Sequence, residues 1–164
     1  MSTHCTRPAP TSPLGCGATG RTMTAAALEL PPLETARLRL EPFAWRHSAG
    51  VFKLWSNADV CRYSGAAFDY AGAPIRLPAR SAEDSDKIVD FFLHRCADGK
   101  GGRWAMVSKD TGEFVGMLGL NAMIPAAELA YHLHPAHWGH GFATEACVCV
   151  LAWLMRHLDI LWHG

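Results

Sequence analysis

Two glycines stand in the segment WGHGFATE, between an alternating apolar run and a strongly apolar one. A strand that enters a glycine-bearing turn and then a helix brings several backbone N–H groups together at the positive end of the helix dipole, with no side chains in the way. Such a turn can hold phosphate. Here it covers residues 138 to 144, where Gly139 and Gly141 permit close backbone approach and Ala143 and Thr144 are too small to fill the space. The same glycines also suit an ordinary turn before a helix. A second chemistry overlaps the first, because His132, His134, His137 and His140 crowd into the segment HLHPAHWGH. Strand residues at i and i+2 point to one face, so His132 and His134 have a geometry that a metal could use. No cysteine or pair of carboxylates completes the set within the cluster, and its second half coincides with the glycine turn.

These residues need elements to hold them. In LETARLRLEPF, Leu38 and Leu40 alternate with Arg37, Arg39 and Glu41, which predicts one half-buried strand ended by Pro42. Val51, Phe52, Leu54 and Trp55 at helical spacing predict a helix over 45–58. Ile88, Val89, Phe91, Phe92 and Leu93 predict another over 81–96, and Ser81 followed by Asp84 has the form of its capping box. Residues 64 to 80, rich in Gly, Pro and Ala, form the loop between them. RWAMVSKDTGEFVGMLGL reads as a hairpin turning at KDTG, and AELAYHLHP as a further strand closed by Pro135. Residues 147 to 158 are apolar on almost every side, which describes a well-buried helix. The order is β, α, α, β, β, β, α, and DILWHG could start one more strand.

A chain of 164 residues fits one domain, and 49% apolar with 18% charged residues is globular composition. Lys plus Arg equals Asp plus Glu at 15 each, so no basic footprint points to nucleic acid. The longest wholly apolar run, 146–155, is far short of the roughly 20 residues that span a bilayer. A soluble, cytoplasmic protein with no membrane partner is expected. The cysteines Cys5, Cys16, Cys61, Cys96, Cys147 and Cys149 form no CxxC pair and read as reduced thiols. Residues 1 to 32 hold five of the ten prolines, six threonines and three charges without apolar periodicity, and read as a disordered extension ahead of a domain over 33–164. Its Arg7 and Arg21 and its hydroxyls faintly resemble a transit peptide, while Met23 offers an alternative start.

LETARLRLEPF, the VG of the hairpin and AELAYHLHPAHWGHGFATEA together resemble the GNAT acyltransferases, in particular the Rim-type ribosomal-protein N-acetyltransferases, over roughly 33–162. The block WGxGxATEA is the most specific part. The resemblance implies an α+β fold with a central mixed, mostly antiparallel sheet flanked by helices, and acetyl transfer from acetyl-CoA to a primary amine by direct attack. It implies a pyrophosphate loop made of Trp138, Gly139, His140, Gly141, Phe142, Ala143 and Thr144. Trp138 is typical of the Rim-type group where the wider superfamily has Gln or Arg, and His140 stands where Lys is common. Leu133 and His134 occupy the positions whose backbone pairs with the pantetheine arm. Glu128 matches a position where the family often carries the acid that takes the proton from the amine, on a strand that is irregular in the family; His132 is the alternative base, and Tyr131 packs. The resemblance finds no counterpart for the tyrosine that protonates the leaving thiolate, nor for the last helix and last two strands. The domain is therefore expected to be C-terminally incomplete. Two alternatives follow: an inactive CoA-binding or partner-binding module, with self-association covering the apolar last helix, or a protein that binds a metal through its histidines.

Overall fold

The run of alternating leucine and charge near the start forms two strands, β1 (Leu33–Glu34) and β2 (Leu38–Pro42), where one was expected. Thr35 is the cause. Its backbone N–H donates to the Leu38 carbonyl (2.9 Å) and its Oγ1 accepts from the Leu38 N–H (3.0 Å), so one residue closes a turn that lays Leu33 beside Leu40. The computed structural model of the chain describes residues 29–122 and 127–157. The expected extension ends earlier than Leu33: Leu30 packs against the core, and the Pro31 carbonyl accepts from the indole Nε1 of the fully buried Trp104 (2.8 Å). Residues 1 to 28 and the terminal DILWHG, with the strand expected there, lie outside the described residues.

The KDTG hairpin joins β3 (Gly102–Ser108) to β4 (Phe114–Ala122), with Gly112 at φ +72 in its turn, and β5 (Glu128–Leu133) follows. The sheet runs β1-β2-β3-β4-β5, and every pairing among the described residues is antiparallel, so the parallel part of a mixed sheet is not among them. β3 is buried along its whole length and β4 over most of it, because helices cover both faces of the sheet. Gly119 is needed there for space: a Cβ would strike the Gly102 carbonyl of the neighbouring strand.

On one face α1 (Ser48–Trp55) and α3 (Ala82–Ala97) set Leu54, Trp55, Ile88 and Val89 against Ala105 and Met117. On the other, α4 (Phe142–His157) sets Val150, Trp153 and Leu154 against Leu40, Met106 and Leu118. Each fully buried aliphatic or aromatic side chain stabilises the fold by roughly 1.5–3 kcal/mol relative to exposure. The helix expected over 45–58 is three pieces: a 3-10 turn at Trp45–His47, α1, and a short α2 (Ala58–Arg62). Asn57 makes the last break, leaving the helical region at ψ 123 so that its side chain accepts from the Asp59 and Val60 N–H groups. α3 begins as expected: Ser81 Oγ accepts from the Asp84 N–H (3.3 Å), although the Asp84 carboxylate bonds the N–H of Arg80, one residue beyond a reciprocal box.

α4 starts at Phe142, well before the expected residue 147, and is not buried all round. Ala146, Val150 and Trp153 face the sheet, while Val148 (61%), Leu151 (46%) and Met155 (66%) form an exposed apolar stripe at helical spacing. The helix packs on one sheet face and has nothing on its other side among the described residues. No helix among them is long and apolar enough to cross a membrane.

Candidate functional site

β5 is the last strand of the sheet, and its hydrogen-bond parity decides which groups are available. The His134 N–H donates to the Val115 carbonyl (3.0 Å), so the alternate residues Leu129, Tyr131 and Leu133 turn their N–H and C=O groups to the open edge. The Leu133 carbonyl is taken by the Trp138 indole Nε1 (2.8 Å), which fixes the start of the loop against the strand. His134 does not face that edge; its N–H is spent on β4, and its Nδ1 accepts from the Ala136 N–H (3.2 Å).

The chain then makes a 3-10 turn at Pro135–His137 and reaches the two glycines, which sit at φ +75 (Gly139) and +77 (Gly141). Other residues rarely adopt that conformation without strain. α4 makes its first internal bond from the Glu145 N–H to the Gly141 carbonyl (3.0 Å), which leaves the N–H groups of the preceding turn free at the positive helix end. The N–H groups of residues 139 to 141 have no partner among the described residues either. A Cβ at Gly139 would meet nothing within 4 Å. The loop borders a cavity of about 540 Å³ lined by Tyr131, Leu133, Trp138, Gly139, Gly141 and Thr144, among others. Phe142 and Ala143 line it too, as the first residues of α4, whereas His140 is exposed and does not. The concavity, its free amides and the adjacent open strand edge fit a pyrophosphate with an extended arm, which is the donor set acetyl-CoA requires.

The turn of Thr35 braces this loop. Thr35 Oγ1 (2.5 Å), the Arg37 N–H (2.8 Å) and Arg37 Nε (2.7 Å) all donate to the Glu145 carboxylate in the first turn of α4. Burial alone raises the Glu145 carboxyl, and these three donors outweigh it, so the group is held below the usual carboxylate range. The Arg37 guanidinium lies 4.4 Å over the Phe142 ring and within 3.5 Å of where a Gly141 Cβ would stand. Sequence reasoning missed this cation beside the loop, because Arg37 reads as the polar side of a strand.

A second cavity, of about 580 Å³, shares Tyr63, Ser64, Tyr131 and His132 with the first and continues along the opposite face of β5. Tyr131, expected to pack, is 53% exposed between the two. His132 packs against Trp55 with the rings tilted by 46° and their centroids 4.6 Å apart, and its buried Nδ1 has no partner among the described residues. Burial, and then the charge of Arg103, push its pKa down to about 4, so it is neutral at pH 7. Glu128 stands exposed at the far end of β5, roughly 17 Å from Leu133 along the strand. Its Oε1 accepts from Asn121 Nδ2 (3.0 Å). The irregularity expected in this strand falls at its start, and the extra residue is on β4: Leu120 pairs with Leu129 and Ala122 with Glu128, leaving Asn121 between them.

Asn121 in turn accepts from Arg103 on its Oδ1 and from Arg95 on its backbone carbonyl. Arg103 is 3% exposed and lies 4.2 Å over the Phe92 ring. Burial first, and the neighbouring Arg95 charge second, lower its pKa to about 10 against the opposing charge of Glu128. An arginine inside the otherwise apolar GRWAMV run was the available signal for this site; nothing in the spacing tied it to Asn121.

The histidine cluster does not converge on one point, although the His134 and His137 rings stay neighbours with centroids 6.2 Å apart. His132 lies under Trp55, His134 caps the 3-10 turn, and among the described residues no group of three or more His, Cys, Asp or Glu side chains is placed to hold a metal. Burial raises the thiols of Cys61, Cys147 and Cys149, so none is an activated nucleophile.

Residues 37–162 match the model of the acetyltransferase (GNAT) domain. The chain is 29% identical over 126 residues to a protein described as the uncharacterized N-acetyltransferase YoaA of Bacillus subtilis (strain 168), covering 75% of this chain and 66% of that protein. It is 26% identical over 117 residues to the uncharacterized N-acetyltransferase p20 of Bacillus licheniformis, covering 70% and 60%. The chain thus spans about two thirds of the length of these relatives. Among solved structures, RimL, the ribosomal L7/L12 alpha-N-protein acetyltransferase in complex with coenzyme A, superposes with a TM-score of 0.63 at 20% identity over 80% of this chain and 71% of that one. At that identity the likeness concerns the fold.

Proposed function

Because the chain belongs to the GNAT acetyltransferase domain family, we propose that it holds acetyl-CoA on the 139–144 amides and the open edge of β5, and transfers the acetyl group to a primary amine. One observation carries this reading: among the described residues, a cradle of partnerless N–H groups at the start of α4 adjoins an edge strand whose outward groups are unpaired except for the Leu133 carbonyl, which Trp138 holds. When bound, acetyl-CoA supplies a thioester carbonyl that an amine attacks directly. Gly139, Gly141 and the first turn of α4 hold the pyrophosphate, with Trp138, His140, Phe142, Ala143 and Thr144 completing the loop, and Trp138 keeps that loop against Leu133. His134 supports the turn and does not pair with the arm.

Glu128 takes a proton from the acceptor ammonium, which frees the amine to attack, and passes it to water, for which its exposed position at the strand end is suited; as the C–N bond forms the C–S bond breaks, and the departing thiolate takes its proton from water. His132 is the weaker choice, because burial and Arg103 keep its imidazole from accepting a proton near neutral pH. A positioned base contributes roughly 10² to 10⁴ in rate. The acceptor is a protein N-terminus or a small amine. The alternative of an inactive module is favoured by the exposed stripe Val148, Leu151 and Met155, which a partner or a second copy could cover.

Equilibrium titration with acetyl-CoA, followed by acetylation of an amine panel by the wild type and by Glu128→Gln, tests these statements. Micromolar binding with turnover that falls at least a hundredfold in Glu128→Gln is expected near neutral pH. Unchanged turnover removes Glu128 from the mechanism. Binding without turnover on any amine leaves the module reading.

A further inference from the structure

The cavity on the α1 and α3 side of β5 carries a chemical signature of its own. Among the described residues, three buried side-chain polar atoms lack a hydrogen-bond partner: Trp55 Nε1, Arg103 Nε and His132 Nδ1. All three belong to residues lining this one cavity. Trp55 (4% exposed) and Arg103 (3%) are buried, and both atoms are obligate donors. A buried donor without an acceptor is costly, and a buried cation without a counter-ion more so.

Charge points the same way. Arg95 and Arg103 both line the cavity, and neither forms an ion pair with a carboxylate among the described residues. Their hydrogen bonds go to uncharged oxygens: Arg95 to the Lys100 carbonyl (2.9 Å) and the Asn121 carbonyl, Arg103 to the Gly102 carbonyl (3.4 Å) and the Asn121 side chain. Glu128 does not line the cavity itself but accepts from Asn121, which does (3.0 Å), and its charge acts on Arg103. Two cations set against one carboxylate leave room for one more negative charge. The remaining wall is apolar and aromatic, from Phe68, Phe91, Phe92, Leu129 and Tyr131.

We propose that this cavity is an acceptor subsite for a zwitterionic amine, an amino acid with an apolar or aromatic side chain. Its carboxylate lies on Arg95, Arg103 and the Trp55 indole, and its amine is directed to Glu128. Asn121 bridges the two ends, holding Glu128 with its Nδ2 and Arg103 with its Oδ1, so cation and anion keep the short separation that the charges of one amino acid have. The assignment rests on the acetyltransferase reading for its name as an acceptor site; the charge selectivity of the cavity does not.

The test is calorimetric titration of the full chain with phenylalanine, tyrosine, leucine and methionine, each beside its amide, with acetyl-CoA titrated separately. At least one free amino acid is expected to bind roughly tenfold or more tightly than its amide, the discrimination of a charge-assisted bond. In Arg95→Met and in Arg103→Met that ratio falls toward one. Arg103 also stacks on Phe92, so Arg95→Met carries the result if Arg103→Met fails to fold, and a melting curve identifies that case. Equal binding of acid and amide, no binding by any member, or a ratio unchanged in a folded Arg95→Met overturns the proposal. If a free amino acid is selected over its amide but acetyl-CoA does not bind, the acetyltransferase reading fails and the carboxylate subsite stands.

Discussion

One buried imidazole should make the protein less stable as the pH is lowered. His132 is neutral in the folded state with a pKa of about 4, depressed first by burial and second by Arg103. Unfolded, it titrates near 6.5. Above pH 6.5 both states are uncharged and the residue contributes no pH dependence. Below that, the unfolded chain binds a proton that the folded one refuses, so stability falls as pH drops toward 4 and then levels off. From these two pKa values the loss between pH 7.5 and pH 4.5 is about 2 to 3 kcal/mol. Urea unfolding of the wild type and of His132→Leu at both pH values isolates it, because other groups, including Glu41 beside His47, titrate alike in both proteins. The variant also deletes the buried Nδ1 that has no partner among the described residues, so at pH 7.5 it should be as stable as the wild type or more so. If wild type and variant lose the same stability on acidification, His132 is not a buried neutral imidazole and the packing on Trp55 is misread.

Other perturbations probe the supports of the loop. Glu145→Gln should cost about 1 kcal/mol at pH 7 and weaken acetyl-CoA binding severalfold, since it removes the charge that Thr35 and Arg37 grip. Because the Glu145 carboxyl is depressed, that stabilisation is present above its unfolded pKa and lost as pH falls through the folded one, so the wild type and variant should converge in acid melts. Gly139→Ala adds a Cβ in open space, so it costs only left-handed backbone strain, about 1 kcal/mol net. Gly119→Ala drives a Cβ into the Gly102 carbonyl and should cost about 3 kcal/mol; thermal melts that reverse this order would contradict the strand packing. Leu151→Glu, on the exposed stripe of α4, should reduce self-association in sedimentation velocity, and an unchanged distribution would remove that stripe as a contact between copies.

Much of this was legible in the sequence, for physical reasons that can be named. The Leu38–Leu40 alternation, the KDTG turn and the Ser81 cap are local signals, and each produced the element it implied. The glycine turn ahead of α4 was legible because positive φ demands glycine at 139 and 141. What escaped was tertiary or depended on one side chain. Thr35 and Asn57 each broke a predicted element by bonding backbone N–H groups, and neither alters the apolar period. The apolar run of 147–158 suggested burial on all sides, whereas α4 rests on only one face of the sheet. Arg103 reads as one charge in a strand; its site exists because β4 carries an extra residue, Asn121, that meets it across the sheet.

The central claim is that residues 139 to 144 hold the pyrophosphate of acetyl-CoA. Calorimetric titration of acetyl-CoA into the wild type and into Gly141→Trp, with melting curves to establish that both are folded, tests it most directly. The new side chain would crowd Arg37 and cover the loop amides, so binding should weaken by roughly a hundredfold or vanish. Equal affinity in two folded proteins would contradict the account.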